Sequence, residues 1–228
     1  MDRQATIADK LIKQYISGQR SFSYIDLSGA NLSGANLKDI DLSGALLDRA
    51  NLQRANLTGA NLMGVDLRRA DLSMSTLRQA DLCRADLSGA NLNGADLTEV
   101  DLQWAIVRHA DLGRASLREA NLKQSTLSMS NLRQAYLPWA NLSESDLTEA
   151  DFQEAILFMA DLSGANLCGA NFNSADLVGS CLYRANLNHV DLRHATMRGT
   201  IMPNGTFYDR LKATIVEYPD FVTSFDLT

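Results

Sequence analysis

Aromatic residues make up only 7% of this 228-residue chain, so its core is not assembled from large rings fitted together. The hydrophobic fraction, 46%, is ordinary for a chain with a core, but it comes mostly from Ala and Leu at fixed places. Cysteine is scarce: Cys83, Cys168 and Cys181 are odd in number, far apart and without a CxxC spacing, which argues against a disulfide framework or a zinc knuckle. No apolar run approaches the ~18 residues of a membrane span, and the N-terminal MDRQATIADKLIKQYISGQR has scattered charges and no apolar leader core. A cytoplasmic protein with no membrane contact is expected. Phosphate-binding loops, nucleophile elbows and metal-ligand spacings are missing too, so no cofactor is expected. Finally, residues 136–180 contain no Lys or Arg but 7 Asp and Glu, an imbalance that the net charge of -6 does not reveal.

What the chain has in abundance is a period of five, as in ADLSGANLNGADL at residues 85–97. Large apolar centres recur every five residues from Phe22 to Met202, thirty-seven in all, without insertion or deletion. Two residues before each centre stands a small side chain, usually Ala. The position between is most often Asp or Asn, whose short side chains bond nearby backbone groups. Gly is frequent two residues after the centre, where a corner needs conformational freedom. The pattern predicts a chain that turns a corner every five residues, with the large and the small residue inward and the other three outward or shaping the bend.

These A(D/N)LXX units resemble the pentapeptide repeat family over residues 20–204. LIKQYISGQRSFSYIDLSGANL at the start and TIMPNGT at the exit are similar to its cyanobacterial branch. The resemblance implies an all-β solenoid: a right-handed quadrilateral parallel β-helix of four pentapeptides per coil. Thirty-seven repeats then give about nine coils, a rod about 43 Å long at the usual strand spacing of roughly 4.8 Å. A solenoid must cover its end coils. Residues 1–19 are expected to supply an N-terminal capping helix, with Ile7, Leu11, Ile12, Tyr15 and Ile16 on one face of residues 6–17 and Gly18 as stop signal. Residues 205–228 break the register and carry Leu211, Ile215, Phe221, Phe225 and other large apolar side chains, more than a simple cap requires. They are expected to cap the rod or to form a homodimer contact.

Catalysis is not expected. The many carboxylates stand at the repeat position before the centre, so the period accounts for them, and a filled rod offers no cleft in which to shift a pKa. His109, His189 and His194 all occupy the outward position two after a centre. His189 and His194 lie on adjacent sides of one coil, without a further ligand to complete a metal set.

Binding is a different matter. With four repeats per coil, residues twenty apart stack, so Tyr136, Pro138 and Trp139 lie below Ile156, Phe158 and Met159 on one side of the rod. Val178 extends that column, and Trp104 with Ile106 lies about one coil earlier on neighbouring sides. Exposed apolar clusters rich in Trp, Tyr and Met mark interfaces. Glu144, Glu149 and Glu154 edge the cluster, which favours a protein partner whose apolar spot is rimmed by basic residues. The alternatives are that the C-terminal segment folds over the cluster, or that the cluster is a homodimer contact. Direct nucleic acid binding is not expected, since residues 49–135 carry a basic excess of only two. The expected function is that of a non-enzymatic interaction or regulatory rod. The alternative is a topoisomerase (gyrase) modulator, implied by similarity to quinolone-resistance pentapeptide proteins, whose acidic rods resemble duplex DNA. Against it stand the uninterrupted register and the confinement of acid to one segment.

Overall fold

A computed structural model describes residues 3–208. Every pentapeptide repeats the same local physics. The Asp or Asn before the centre accepts the N–H two residues on, as Asp26 does from Ser28 (3.0 Å), Asn31 from Ser33 (3.1 Å) and Asp81 from Cys83 (2.9 Å). The centre's own carbonyl accepts the N–H three residues on, as in Ala30 to Leu27 at 2.9 Å, and this closes a four-residue turn. The third residue of that turn has positive φ at every repeat from Tyr24 (59°) to Gly199 (72°), the mark of a type II turn. Glycine suits it, yet Arg54 (58°), Trp139 (58°) and Glu149 (57°) adopt the same angle. An L residue there costs about 1 kcal/mol or more. The cost is met by the ladder, because the same residue donates its N–H to the neighbouring coil, as Trp139 does to the Phe158 carbonyl at 3.0 Å.

Four such corners return the chain to its starting line after twenty residues. Parallel bridges therefore join residues twenty apart, from Ser21 with Asp41 to Cys181 with Ile201. Each centre from Phe22 to Leu182 donates toward the C-terminal end of the rod (Leu27 N–H to Leu46, 2.7 Å). Each preceding residue donates the other way (Asn51 N–H to Ala30, 2.9 Å). The rod thus has four sides, whose centres run Phe22, Leu42, Leu62 (first side), Leu27, Leu47, Leu67 (second), Leu32, Leu52, Leu72 (third) and Leu37, Leu57, Leu77 (fourth). All centres from Leu27 to Leu182 are at most 2% exposed, and the small residues before them fill the corners. Phe152 and Phe172 replace Leu on the third side and stack nearly flat, 4.6 Å between ring centroids. Each buried Leu contributes about 1.5–3 kcal/mol by leaving water, and every coil relies on its neighbours for that burial.

At the N-terminal end, helix α1 (Arg3–Ile16) lies against the first coil. It starts earlier than the hydrophobic pattern suggested, and its contact face is shifted. Ala8 and Leu11 are buried with Ile7, Ile12 and Tyr15 beside them, whereas Ile16 is 78% exposed. At 100° per residue, Ile16 falls outside the arc centred on Ala8, Leu11 and Tyr15. Gly18 (φ 103°) ends α1 in a Schellman motif, Gln19 N–H bonding Gln14 O (3.1 Å) and Gly18 N–H bonding Tyr15 O (3.0 Å). The Tyr15 hydroxyl fastens the helix to the rod through the Lys38 carbonyl at 2.7 Å. At the other end the register slips by one residue: Asn204 accepts from Thr206, the positive φ moves to Gly205, and Phe207 pairs antiparallel with Ile201. The part of the C-terminal segment from residue 209 on lies outside the described residues.

Candidate interaction surface

The ladder brings Tyr136 and Ile156 into one bridge on the fourth side, with Trp139 and Met159 stacked at the corner of the same two coils. These four side chains are exposed by 41%, 40%, 51% and 51% respectively. Between the two columns the surface is lower. Pro138 is buried, not outward as its repeat position suggested, because Trp139, Arg118 and Phe158 stand around it; Phe158 and Val178 are half-buried. The Trp139 ring meets Phe158 edge-on, centroids 5.6 Å apart. The result is a shallow apolar trough parallel to the rod axis, with Pro138, Phe158 and Val178 as its floor. Its N-terminal end is closed by Arg118, which is held by Glu99 (3.5 Å) and Glu119. Toward the C-terminus the walls fall away to Asp176 and Gly179.

Trp104 does not join this cluster. It sits on the corner after the first side, where Arg84 lies over its ring (5.4 Å) and its Nε1 donates to Gln124 Oε1 (2.7 Å). Gln124 in turn donates to Glu144 Oε2 (2.7 Å). The third corner repeats the device: Arg114 donates to Gln134 (2.9 Å) and Gln134 to Glu154 (2.8 Å). These bonds hold both glutamates below the usual carboxylate range, Gln124 and then Lys123 acting on Glu144, and Gln134 and then Gln153 on Glu154. Glu144 and Glu154 are thus tied into side-chain ladders, while Glu149, between Met129 and Gly169 in its column, is exposed without such a bridge. The acidic groups of residues 136–180 stand on all four sides of the rod. They form a belt around it, and Glu154, Asp161 and Asp176 border the trough.

Other polar groups are similarly occupied. An open notch of about 290 Å³ lies where Gly113 interrupts an outward column, lined by Asn93, Gly113, Arg114, Asn131, Arg133 and Gln134. Two of its amides are already engaged by the neighbouring Asp111, which accepts from Asn131 (2.7 Å), Gly113 N–H (2.9 Å) and Asn93 (3.3 Å). Cys83 is half-buried and its thiol is pushed up to about 11, first by burial and then by Asp101 and Asp81, which suppresses the reactive thiolate. Among the described residues no three His, Cys, Asp or Glu side chains are grouped so as to hold a metal ion. No helix among them is long and apolar enough to cross a membrane.

A stack of pentapeptide turns bridged at twenty-residue intervals defines a four-sided parallel β-helix. The chain belongs to the pentapeptide repeat family, whose profile matches eight copies across residues 25–64, 60–98, 95–134, 130–158 and 160–199. Its fold is the right-handed quadrilateral β-helix of that family. Among solved structures it is similar to HetL of the cyanobacterium Nostoc sp. strain PCC 7120, a pentapeptide repeat protein involved in the regulation of heterocyst differentiation. The identity is 31%, over 88% of this chain and 98% of that one, with a TM-score of 0.64. It also shares its fold with QnrB1, a plasmid-mediated fluoroquinolone resistance protein, at 21% identity over 77% of this chain and 92% of that one, with a TM-score of 0.62. No curated protein sequence matches it significantly.

Proposed function

We propose that this protein is a non-enzymatic interaction rod, of about nine coils capped by α1, that presents the trough on its fourth side to a regulatory protein partner. The observation that carries this reading is the pairing of Tyr136, Trp139, Ile156 and Met159. These are four of the large apolar side chains left exposed on the described surface, and they are gathered on two consecutive coils of one side. Elsewhere exposed apolar side chains such as Met63 and Met74 stand singly, which is normal for a monomer. The acidic border selects a partner whose apolar anchor is flanked by Lys or Arg. Similarity to a cyanobacterial regulator of differentiation supports a regulatory rather than a metabolic role. The division at residues 1–19, 20–204 and 205–228 into cap, rod and C-terminal segment is part of the same reading.

A gyrase-directed role receives less support, since the likeness to QnrB1 is one of fold and the acid here encircles the rod instead of following it lengthwise. The test is affinity capture from source-cell lysate with wild type and a folded Trp139→Glu, Phe158→Glu double variant. A protein retained by wild type and lost by the variant is the expected result; identical captures would remove the fourth side as the docking surface. Protection of gyrase supercoiling from a fluoroquinolone would revive the other reading.

A further inference from the structure

We propose that the element the trough takes from its protein partner is a basic-flanked amphipathic helix, laid along the rod axis with an apolar stripe at i, i+4 and i+7. This rests on the reading of the fourth side as a docking surface and names what docks there. The floor residues Pro138, Phe158 and Val178 come one per coil, so they follow one another at roughly 4.8 Å and span about 9.6 Å. On a helix rising 1.5 Å per residue, i, i+4 and i+7 span about 10.5 Å, one stripe residue for each floor residue. Arg118 and Arg198 occupy the same column one coil before and one coil after the floor, so the stripe ends at three.

An extended chain fits less well. Its same-face residues come about every 6.6 Å, so it meets one coil and misses the next. Its backbone would also go unpaired, because the ladder runs across this side: Leu137 N–H bonds Ile156 O (2.7 Å), Trp139 N–H bonds Phe158 O (3.0 Å) and Met159 N–H bonds Val178 O (2.9 Å). Strand addition needs those groups free, whereas a helix arrives with its own hydrogen bonds closed. Charge fixes the flanks. Glu154 stands at the corner before the fourth side, Asp161 just past the corner after it and Asp176 beside the open end, in a segment without Lys or Arg. Arg118, at the closed end, is already held by Glu99 and Glu119. Acid on both borders calls for Lys or Arg on both edges of the stripe. A second copy offers no such helix from its described residues, since α1 keeps Ala8 and Leu11 against its own first coil.

The test needs no known partner. A phage-displayed library of random 16-residue peptides is selected on the full-length protein and counter-selected on a folded Phe158→Glu variant. The expected consensus has large apolar residues at i, i+4 and i+7, Lys or Arg on both edges and no interior Pro. A synthetic peptide of that sequence should gain helical circular dichroism on binding and bind Phe158→Glu about ten-fold more weakly. Asp176→Asn with Glu154→Gln removes charge while an Asn can still hold the Val178 N–H that Asp176 accepts at 3.0 Å. That double variant should weaken the peptide about two- to five-fold. A Pro-containing or period-two consensus, a bound peptide that stays non-helical, indifference to the neutral substitutions, or an empty selection would each overturn the helix. The docking reading is scored apart: if the Trp139→Glu, Phe158→Glu variant still loses the captured protein, the fourth side remains the docking surface and only the form of its occupant is wrong.

Discussion

Ser180 offers a prediction in which the structure sets both sign and size. It occupies the small inward position, is 0% exposed, and its hydroxyl has no hydrogen-bond partner. Its counterparts Ser75, Ser125 and Ser145 donate to the carbonyl three residues back, each at 2.6 Å. For Ser180 that acceptor is Leu177 O, which already takes Thr200 Oγ1 at 2.7 Å and the Ser180 N–H at 3.0 Å. An unpaired buried hydroxyl costs about 1–3 kcal/mol. Ser180→Ala removes it and installs the residue most repeats use at this position, leaving a small void. The net expectation is a stabilisation of about 1 kcal/mol. Thr200→Ala alone should be nearly neutral, because Ser180 then takes over the vacated carbonyl. In a Ser180→Ala background the same change should cost about 1 kcal/mol. Urea denaturation of the four proteins, followed by far-ultraviolet circular dichroism, completes the cycle. A destabilising Ser180→Ala, or effects of the two substitutions that simply add, would refute the competition for Leu177 O.

Other outcomes follow from the same register. Leu117→Asp puts a charge at a 0% exposed centre and should abolish folding, so a soluble protein with native circular dichroism would defeat the inward assignment. At Gly179 (φ 70°) an added Cβ would stand 2.6 Å from Met159 Sδ. Gly179→Ala should therefore lower stability by about 1 kcal/mol, with part of the loss recovered by Met159→Ala. Asp66 and Asp191 are held below the usual 3.8 chiefly by hydrogen bonds from Arg68 and Arg193, and Asp41 by the Ser43 N–H. Depressed carboxyls contribute stability that is full above the ordinary value and lost as pH falls through the folded-state values. Melting temperature should therefore be flat near neutrality and drop below about pH 4, more shallowly in Arg193→Ala. Gln124→Ala should raise the titration midpoint of Glu144, observed by nuclear magnetic resonance, and leave Trp104 Nε1 without its acceptor.

The five-residue period made the fold readable, because one repeated spacing fixes both the inward pair and the corner. Stacking at twenty residues is what the resemblance to the pentapeptide repeat family adds, through four repeats per coil, and the meeting of Tyr136 with Ile156 and of Trp139 with Met159 follows from it. Less was legible where an outcome depends on neighbours in the adjacent coil. Pro138 stands at an outward position yet is buried, since the side chains around it are taller. Trp104 reads as a surface aromatic, but Gln124 and Arg84 hold it in a ladder. Frequent Gly hinted at the left-handed corner, while the adoption of the same φ by Trp, Arg and Glu is enforced by inter-coil bonds that composition does not show. Asp111 reads as a turn residue only, and the structure adds two stacked amides, Asn93 and Asn131, as donors. The alternation Asn91, Asp111, Asn131, Asp151, Asn171 down that column keeps like charges from stacking and lets amides bond carboxylates, as Asn171 does to Asp151 at 2.9 Å. The slip at Gly205 arises because Asn204 engages Thr206, a local bond that outcompetes the period.

The most direct test of the central claim is an oxidative footprint of the rod in complex with the captured partner, with the exposed Met63, Met74, Met129 and Met159, one on each side of the rod, as reporters. Docking in the trough predicts protection of Met159, together with Tyr136 and Trp139, while Met63, Met74 and Met129 keep their free-protein rates. Protection of any of those three with Met159 unchanged would place the partner on another side and contradict the account.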